Sequence, residues 1–150
     1  MKILSKNMKK GHVVLQVETL DDLWYLSELI EKGDIVKGKT VRKIKLGKET
    51  DRDAKVVKKT VFLSIRVAGT EFHEFSDVLR VGGTVTEGPD DVARGTHHTF
   101  SLSPGSAITL EKPKWYEFHL QKLEDARKAD APQLIVCAHD RSEAVFFLVK

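Results

Sequence analysis

Ten basic side chains fall between Lys37 and Lys59 (Lys37, Lys39, Arg42, Lys43, Lys45, Lys48, Arg52, Lys55, Lys58 and Lys59) against three acids (Glu49, Asp51 and Asp53), a local balance of +7. The whole chain carries +3, so the remainder is about −4 and the positive charge is concentrated rather than spread. Ammonium and guanidinium groups gathered this densely suit one task above others, the neutralisation of phosphate. The competing reading is a solvated charged edge that keeps sheets from pairing, which lysine on edge strands also provides.

Three other groups could do chemistry. Glu18, Asp21 and Asp22 crowd the start of a helix and Asp90 and Asp91 share a loop; a divalent-metal nuclease needs two or three carboxylates converging on one ion. Acids at a helix start are also expected for capping alone. His97 and His98 are adjacent, so in a strand they point to opposite faces and do not easily share an ion. Neither Cys-x-x-Cys nor His-x-x-x-His spacing occurs, which speaks against a dedicated zinc site. The single cysteine, Cys137, lies in the apolar run 134–138, where a buried packing role is expected rather than a nucleophile. No Gly-x-x-x-x-Gly-Lys-Ser/Thr loop and no Gly-x-Gly-x-x-Gly fingerprint is present, so binding of a nucleoside triphosphate or a dinucleotide cofactor is not expected.

Alternation indicates which elements position the basic groups, because a strand sends successive side chains to opposite faces. Over residues 36–46 one face carries Val36, Thr40, Arg42, Ile44 and Leu46, the other Lys37, Lys39, Val41, Lys43 and Lys45. The return segment sets Val61, Leu63, Ile65 and Val67 against Thr60, Phe62, Ser64 and Arg66. Two long strands over residues 34–68 are therefore predicted, apolar face on a core and basic face in water. The polar tip at 47–57 is expected to be mobile when unbound.

Around this ribbon the chain reads as mainly β with two helices. Residues 1–7 and 12–17 form a strand pair about a turn at Lys9, Lys10 and Gly11. Thr19 and Asp22 give a capping signal for the first helix. In it Leu20, Leu23, Trp24, Ser27 and Ile30 recur at helical spacing, with Leu26 beside them and Trp24 as the expected largest buried group. Gly33 ends that helix, residues 69–76 read as irregular, and strands follow near 78–87, 98–103 and 107–112 between Gly and Pro turns. A second helix is predicted over 114–129. Many short strands with one inserted helix suggest a small closed or nearly closed barrel. Residues 134–138 are an apolar run suited to a strand buried on both faces and 144–149 are another, a hairpin with little left to pack against that is read as the start of a truncated second domain, so the division is 1–131 and 132–150.

One hundred and fifty residues are enough for one domain, or one and a fragment. With 41% hydrophobic and 31% charged residues the composition is that of a globular chain, and no apolar run approaches the ~20 residues of a membrane helix. No secretory signal pattern opens the chain and one cysteine fits a reducing compartment, so a cytoplasmic protein is expected.

Several segments in combination resemble the amino-terminal domain of the Pelota family of ribosome-rescue and mRNA-surveillance factors. They are Met1-Lys2-Ile3-Leu4, Gly11-His12-Val13-Val14-Leu15, Glu18-Thr19-Leu20-Asp21-Asp22-Leu23-Trp24, Leu29-Ile30 and Gly33-Asp34. Thr40-Val41-Arg42-Lys43, Leu79-Arg80-Val81-Gly82, Gly95-Thr96-His97-His98-Thr99-Phe100-Ser101-Leu102 and Trp115 continue the match. The resemblance implies an Sm-like β-barrel followed by the first hairpin of a central, release-factor-like domain. It also implies a factor that enters the A site of a stalled ribosome, meets rRNA and mRNA, and acts with a translational GTPase of the elongation-factor class to dissociate the subunits. By the same resemblance the segment at 45–59 faces the decoding centre, and no peptidyl-tRNA hydrolysis is implied because Gly-Gly-Gln is absent. The alternative it carries is an RNA endonuclease needing a divalent metal cation, with Glu18, Asp21 and Asp22 as catalytic candidates. A protein-interaction barrel pairing through strand edges is a third reading; a monomer without membrane contact is expected.

Overall fold

The computed structural model describes residues 1–46, 55–72, 76–128 and 134–149, with residues 43–46, 55–57, 134 and 149 described through their backbone alone. The elements run β1 (Lys2–Asn7), β2 (His12–Gln16), α1 (Leu20–Leu29), β3 (Ile35–Leu46), β4 (Lys55–Phe72), β5 (Leu79–Glu87), β6 (His97–Leu102), β7 (Ala107–Glu111), α2 (Glu117–Lys128), β8 (Leu134–His139) and β9 (Ala144–Val149). Mainly β with two helices is thus the architecture. The tip expected to be mobile falls largely on 47–54, outside the described residues.

Seven strands make one antiparallel sheet in the order β1-β2-β7-β3-β4-β5-β6. It curls back on itself. In a flat sheet β3 and β6, with two strands between them, would stand about 14 Å apart. A Cβ on Gly38 of β3 would instead lie 3.6 Å from the Phe100 ring of β6, and the Thr40 hydroxyl meets His98 Nε2 at 3.0 Å. Curling lets the alternating inner positions converge on one core: Val13 and Leu15, Val36, Val61, Leu63 and Ile65, Leu79 and Val81, Phe100, Ile108 and Leu110. Each fully buried side chain of this size contributes about 1.5–3 kcal/mol. Among the described residues no ladder joins β6 to β1, so the sheet curls without a hydrogen-bonded seam.

Three local expectations are corrected. Trp24 is 52% exposed rather than the largest buried group of α1, and Leu20 is 45% exposed. The buried face is Asp22, Leu23, Leu26 and Leu29. Asp22 is drawn inward, where its carboxylate accepts from the Met1 ammonium at 2.7 Å and from the amides of Glu18 and Thr19 at 2.7 and 3.1 Å. This rotates the helix so that Trp24 turns out and packs edge-to-face on Tyr25. Next, β4 does not stop at Ala68 but runs to Phe72: the register passes from Val67↔Gly83 to Gly69↔Gly82, so the strand absorbs one residue as a bulge. Gly83 makes the bulge possible, since a Cβ there would collide with the Arg66 carbonyl oxygen. Finally, among the described residues β8 and β9 pair only with each other, a hairpin with little to pack against as expected, but the run read as buried on both faces is not: Ile135, Val136 and Cys137 are exposed, as are Phe146, Phe147 and Leu148. An apolar run reports that a segment can be buried, and among the described residues no layer covers this hairpin.

Candidate nucleic-acid interface

β3 and β4 outreach the rest of the sheet. They pair from Ile35↔Arg66 to Leu46↔Lys55, whereas β7 accompanies β3 only through Gly38 and β5 accompanies β4 only from Ser64 onward. Beyond those points the two strands continue as a two-stranded ribbon of about 25 Å. Seven of the ten basic residues, Lys39, Arg42, Lys43, Lys45, Lys55, Lys58 and Lys59, belong to this ribbon. Its register sets Arg42 opposite Lys59 and Lys43 opposite Lys58, and like charges directly opposite destabilise a ladder.

The expected faces are present near the ribbon's base. Val36 and Gly38 are buried with Val61, Leu63 and Ile65, while Lys39, Val41, Lys58, Thr60 and Phe62 are exposed. The ten basic candidates have different fates. Lys37 is three-quarters buried and sits 3.1 Å from Glu111 and 3.6 Å from Glu87; the Glu111 carboxylate raises its pKa, so it stays charged but largely neutralised. Lys59 pairs with Asp91 at 2.9 Å in the open. Arg42 lies on the inner face, where one terminal nitrogen donates to Thr96 Oγ1 at 3.0 Å and the other is buried without a partner among the described residues. Lys39 and Lys58 are exposed and make no ion pair among the described residues. Lys43, Lys45 and Lys55 are placed by backbone register alone, and Lys48 and Arg52 lie outside the described residues.

The carboxylate candidates do not fit a divalent cation. Asp22 is buried and already accepts from an ammonium and two amides, Glu18 stands 3.6 Å from the same ammonium, and Asp21 is exposed. A cation would have to displace those donors. Among the described residues no cluster of three or more His, Cys, Asp or Glu is arranged to hold a metal. Asp91 is engaged by Lys59. His97 faces solvent while His98 turns inward to Thr40, and burial, then the charge of Arg42, hold its pKa below the ordinary value. No helix among the described residues is long and apolar enough to cross a membrane.

What the sequence did not signal is a buried ionic knot under the ribbon's base. Lys112 Nζ lies 2.7 Å from both Glu31 and Asp34, and His119 Nε2 lies 3.1 Å from Glu31. Burial, then the Lys112 charge, depress the His119 pKa, so the ring is neutral. Its Nδ1 accepts from the Tyr116 amide, and its Nε2–H donates to Glu31. The Lys112 hydrogen bond, above all, holds Glu31 below its usual carboxylate value; for Asp22, burial opposes the charge but the ammonium and amide hydrogen bonds prevail. All these folded-state pKa values are lowered, so the unfolded chain binds more protons and stability falls as pH falls. The loss should begin below about pH 6.5 through His98 and His119 and steepen below about 4.5 as unfolded Glu31 and Asp22 take protons first. Thermal unfolding at pH 7.5, 6 and 5 checks this, with a flat profile as the contrary result.

The Pelota N-terminal domain family matches residues 1–127. The protein pelota homolog of Pyrococcus horikoshii is 39% identical over 153 aligned residues, which cover all of this chain and 43% of that protein. A structure of ribosome-bound archaeal Pelota and ABCE1 superimposes with a TM-score of 0.73 at 36% identity, covering all of this chain and 43% of the other. The crystal structure of Archaeoglobus fulgidus Pelota gives a TM-score of 0.63 at 31% identity, over all of this chain and 40% of that one. The chain therefore spans less than half the length of these relatives.

Proposed function

Because the chain belongs to the Pelota family, we propose that it is the RNA-facing domain of a ribosome-rescue factor, entering the A site of a stalled ribosome with a translational GTPase so that the subunits separate. The observation that carries this reading is the β3–β4 ribbon: it outreaches the sheet and pairs like charges across its ladder. The Lys43–Lys58 pair gathers charge that a phosphate would neutralise, and a two-stranded arm can bring that charge to phosphates in a groove. A solvated edge needs only isolated lysines, whereas here two successive cross-strand pairs are both cationic. The working place of such a factor is the cytoplasm, and the β8–β9 hairpin is read as the opening of a central domain whose remaining strands would cover it.

The contacts in this reading are with phosphate and sugar rather than base edges, so binding positions the domain without demanding a sequence. The test is a map of the full-length protein on a stalled ribosome. The reading expects the ribbon beyond Arg42 and Lys59 to lie against rRNA or mRNA backbone; a ribbon pointing into solvent, or against ribosomal protein alone, would overturn it.

A further inference from the structure

Phe62 is unusual for its place. It lies at the middle of the basic face of β4, directly opposite Lys39 in the register, yet its ring is 57% exposed. An exposed phenylalanine on a strand face has no structural need to be there, since the inner face already supplies Val61 and Leu63 to the core. Beside it opens a cavity of about 440 Å³, walled by Phe62, Lys37, Lys39 and the turn between β6 and β7 at Gly105 and Ser106. That volume lies in the range of pockets that hold small organic groups, ~300–1,000 Å³. Gly38 forms part of the wall, and a Cβ there would sit a tight 3.2 Å from the Ala107 carbonyl oxygen at the seam between β3 and β7.

We infer that this pocket takes one unpaired nucleobase of a single-stranded RNA segment, stacked on the Phe62 ring, with the Lys39 ammonium on an adjoining phosphate. The inference deepens the RNA reading above and rests on it. Three observations choose an RNA base over an apolar protein segment. The aromatic face has Lys39 directly across the ladder and Lys58 further along the same face of β4, and neither makes an ion pair among the described residues. Lys37, held by Glu111 and Glu87, keeps its aliphatic stem at the pocket wall. The polar atoms around the turn, Ser106 and Thr109 among them, suit the hydrogen-bonding edge of a base. Aromatic platforms set in a basic groove are the usual means of holding single strands without reading their sequence, because every base presents a π-face.

The experiment uses the 150-residue chain and two labelled 12-nucleotide RNA probes, one of uridines and one carrying abasic riboses on the same sugar-phosphate backbone. The uridine probe is expected to bind about ten-fold more tightly. Phe62→Ala is expected to erase that difference and leave affinity for the abasic probe and its salt dependence unchanged, while Phe62→Trp retains it. Phe62 lies outside the core, and equal unfolding midpoints would confirm that the variant folds. Equal affinity of the wild-type chain for both probes, with a steep salt dependence, would overturn the pocket and leave the RNA reading standing. Weak, salt-insensitive binding of both probes would overturn both.

Discussion

Replacing Lys112 with alanine is expected to lower the stability of this domain by about 3–5 kcal/mol, the usual consequence of removing one partner of a buried ion pair. The effect should come chiefly from Asp34, which is 3% exposed and would lose the ammonium that stands 2.7 Å from it. Glu31 is half-exposed and can be rehydrated. Asp34 also accepts from the Glu31 amide at 2.9 Å, and its carbonyl accepts from the Val67 amide at 2.8 Å, joining the approach to β3 to β4. The knot therefore ties the end of α1, the base of the ribbon and the approach to α2 together. A double variant with Lys112→Met and Asp34→Asn should lose much less than the two single losses added, since the amide keeps an acceptor for Glu31 without leaving a charge. Urea unfolding of the four proteins measures this; additive losses would mean that the pair is not coupled.

The second large effect concerns binding. Changing Lys43, Lys45, Arg52, Lys58 and Lys59 together to alanine is expected to weaken binding to single-stranded RNA by about a hundred-fold near physiological salt, because several phosphate contacts are lost at once. Folding should be spared. Lys58 and Lys59 are exposed, and removing cations set opposite one another relieves repulsion within the ladder. The one described ion pair lost is Lys59 with Asp91, an exposed contact worth no more than about 1 kcal/mol. An unchanged affinity would mean that the basic ribbon is not the RNA surface.

How far the residues alone carry the account depends on whether local rules or distant partners decide. The alternation of Val61, Leu63, Ile65 and Val67 is local, and all four are buried as it implies. The charge run is local too, and the long strands are where it places them. The phase of α1 is not local, because it turns on Asp22 meeting the Met1 ammonium across 21 residues of chain. Nor is the Lys112 knot, whose partners lie 78 and 81 residues away. Arg42 was countable as a cation, but that it would turn inward to Thr96 depends on the curl that brings β6 to β3. Cys137 was read from an apolar run as buried, and it is exposed because burial needs a second layer that no run of residues can announce by itself.

The central claim is that the cations of the β3–β4 ribbon meet phosphate, and its most direct test is the salt dependence of RNA affinity. Binding of a single-stranded RNA to the wild-type chain and to the five-fold variant should be measured from about 50 to 200 mM salt, where each phosphate contact contributes a slope of about −0.7 in log K against log salt. The account predicts a steep slope for the wild type, about −3 for four contacts, and one nearer zero for the variant. Equal slopes in the two proteins would contradict it.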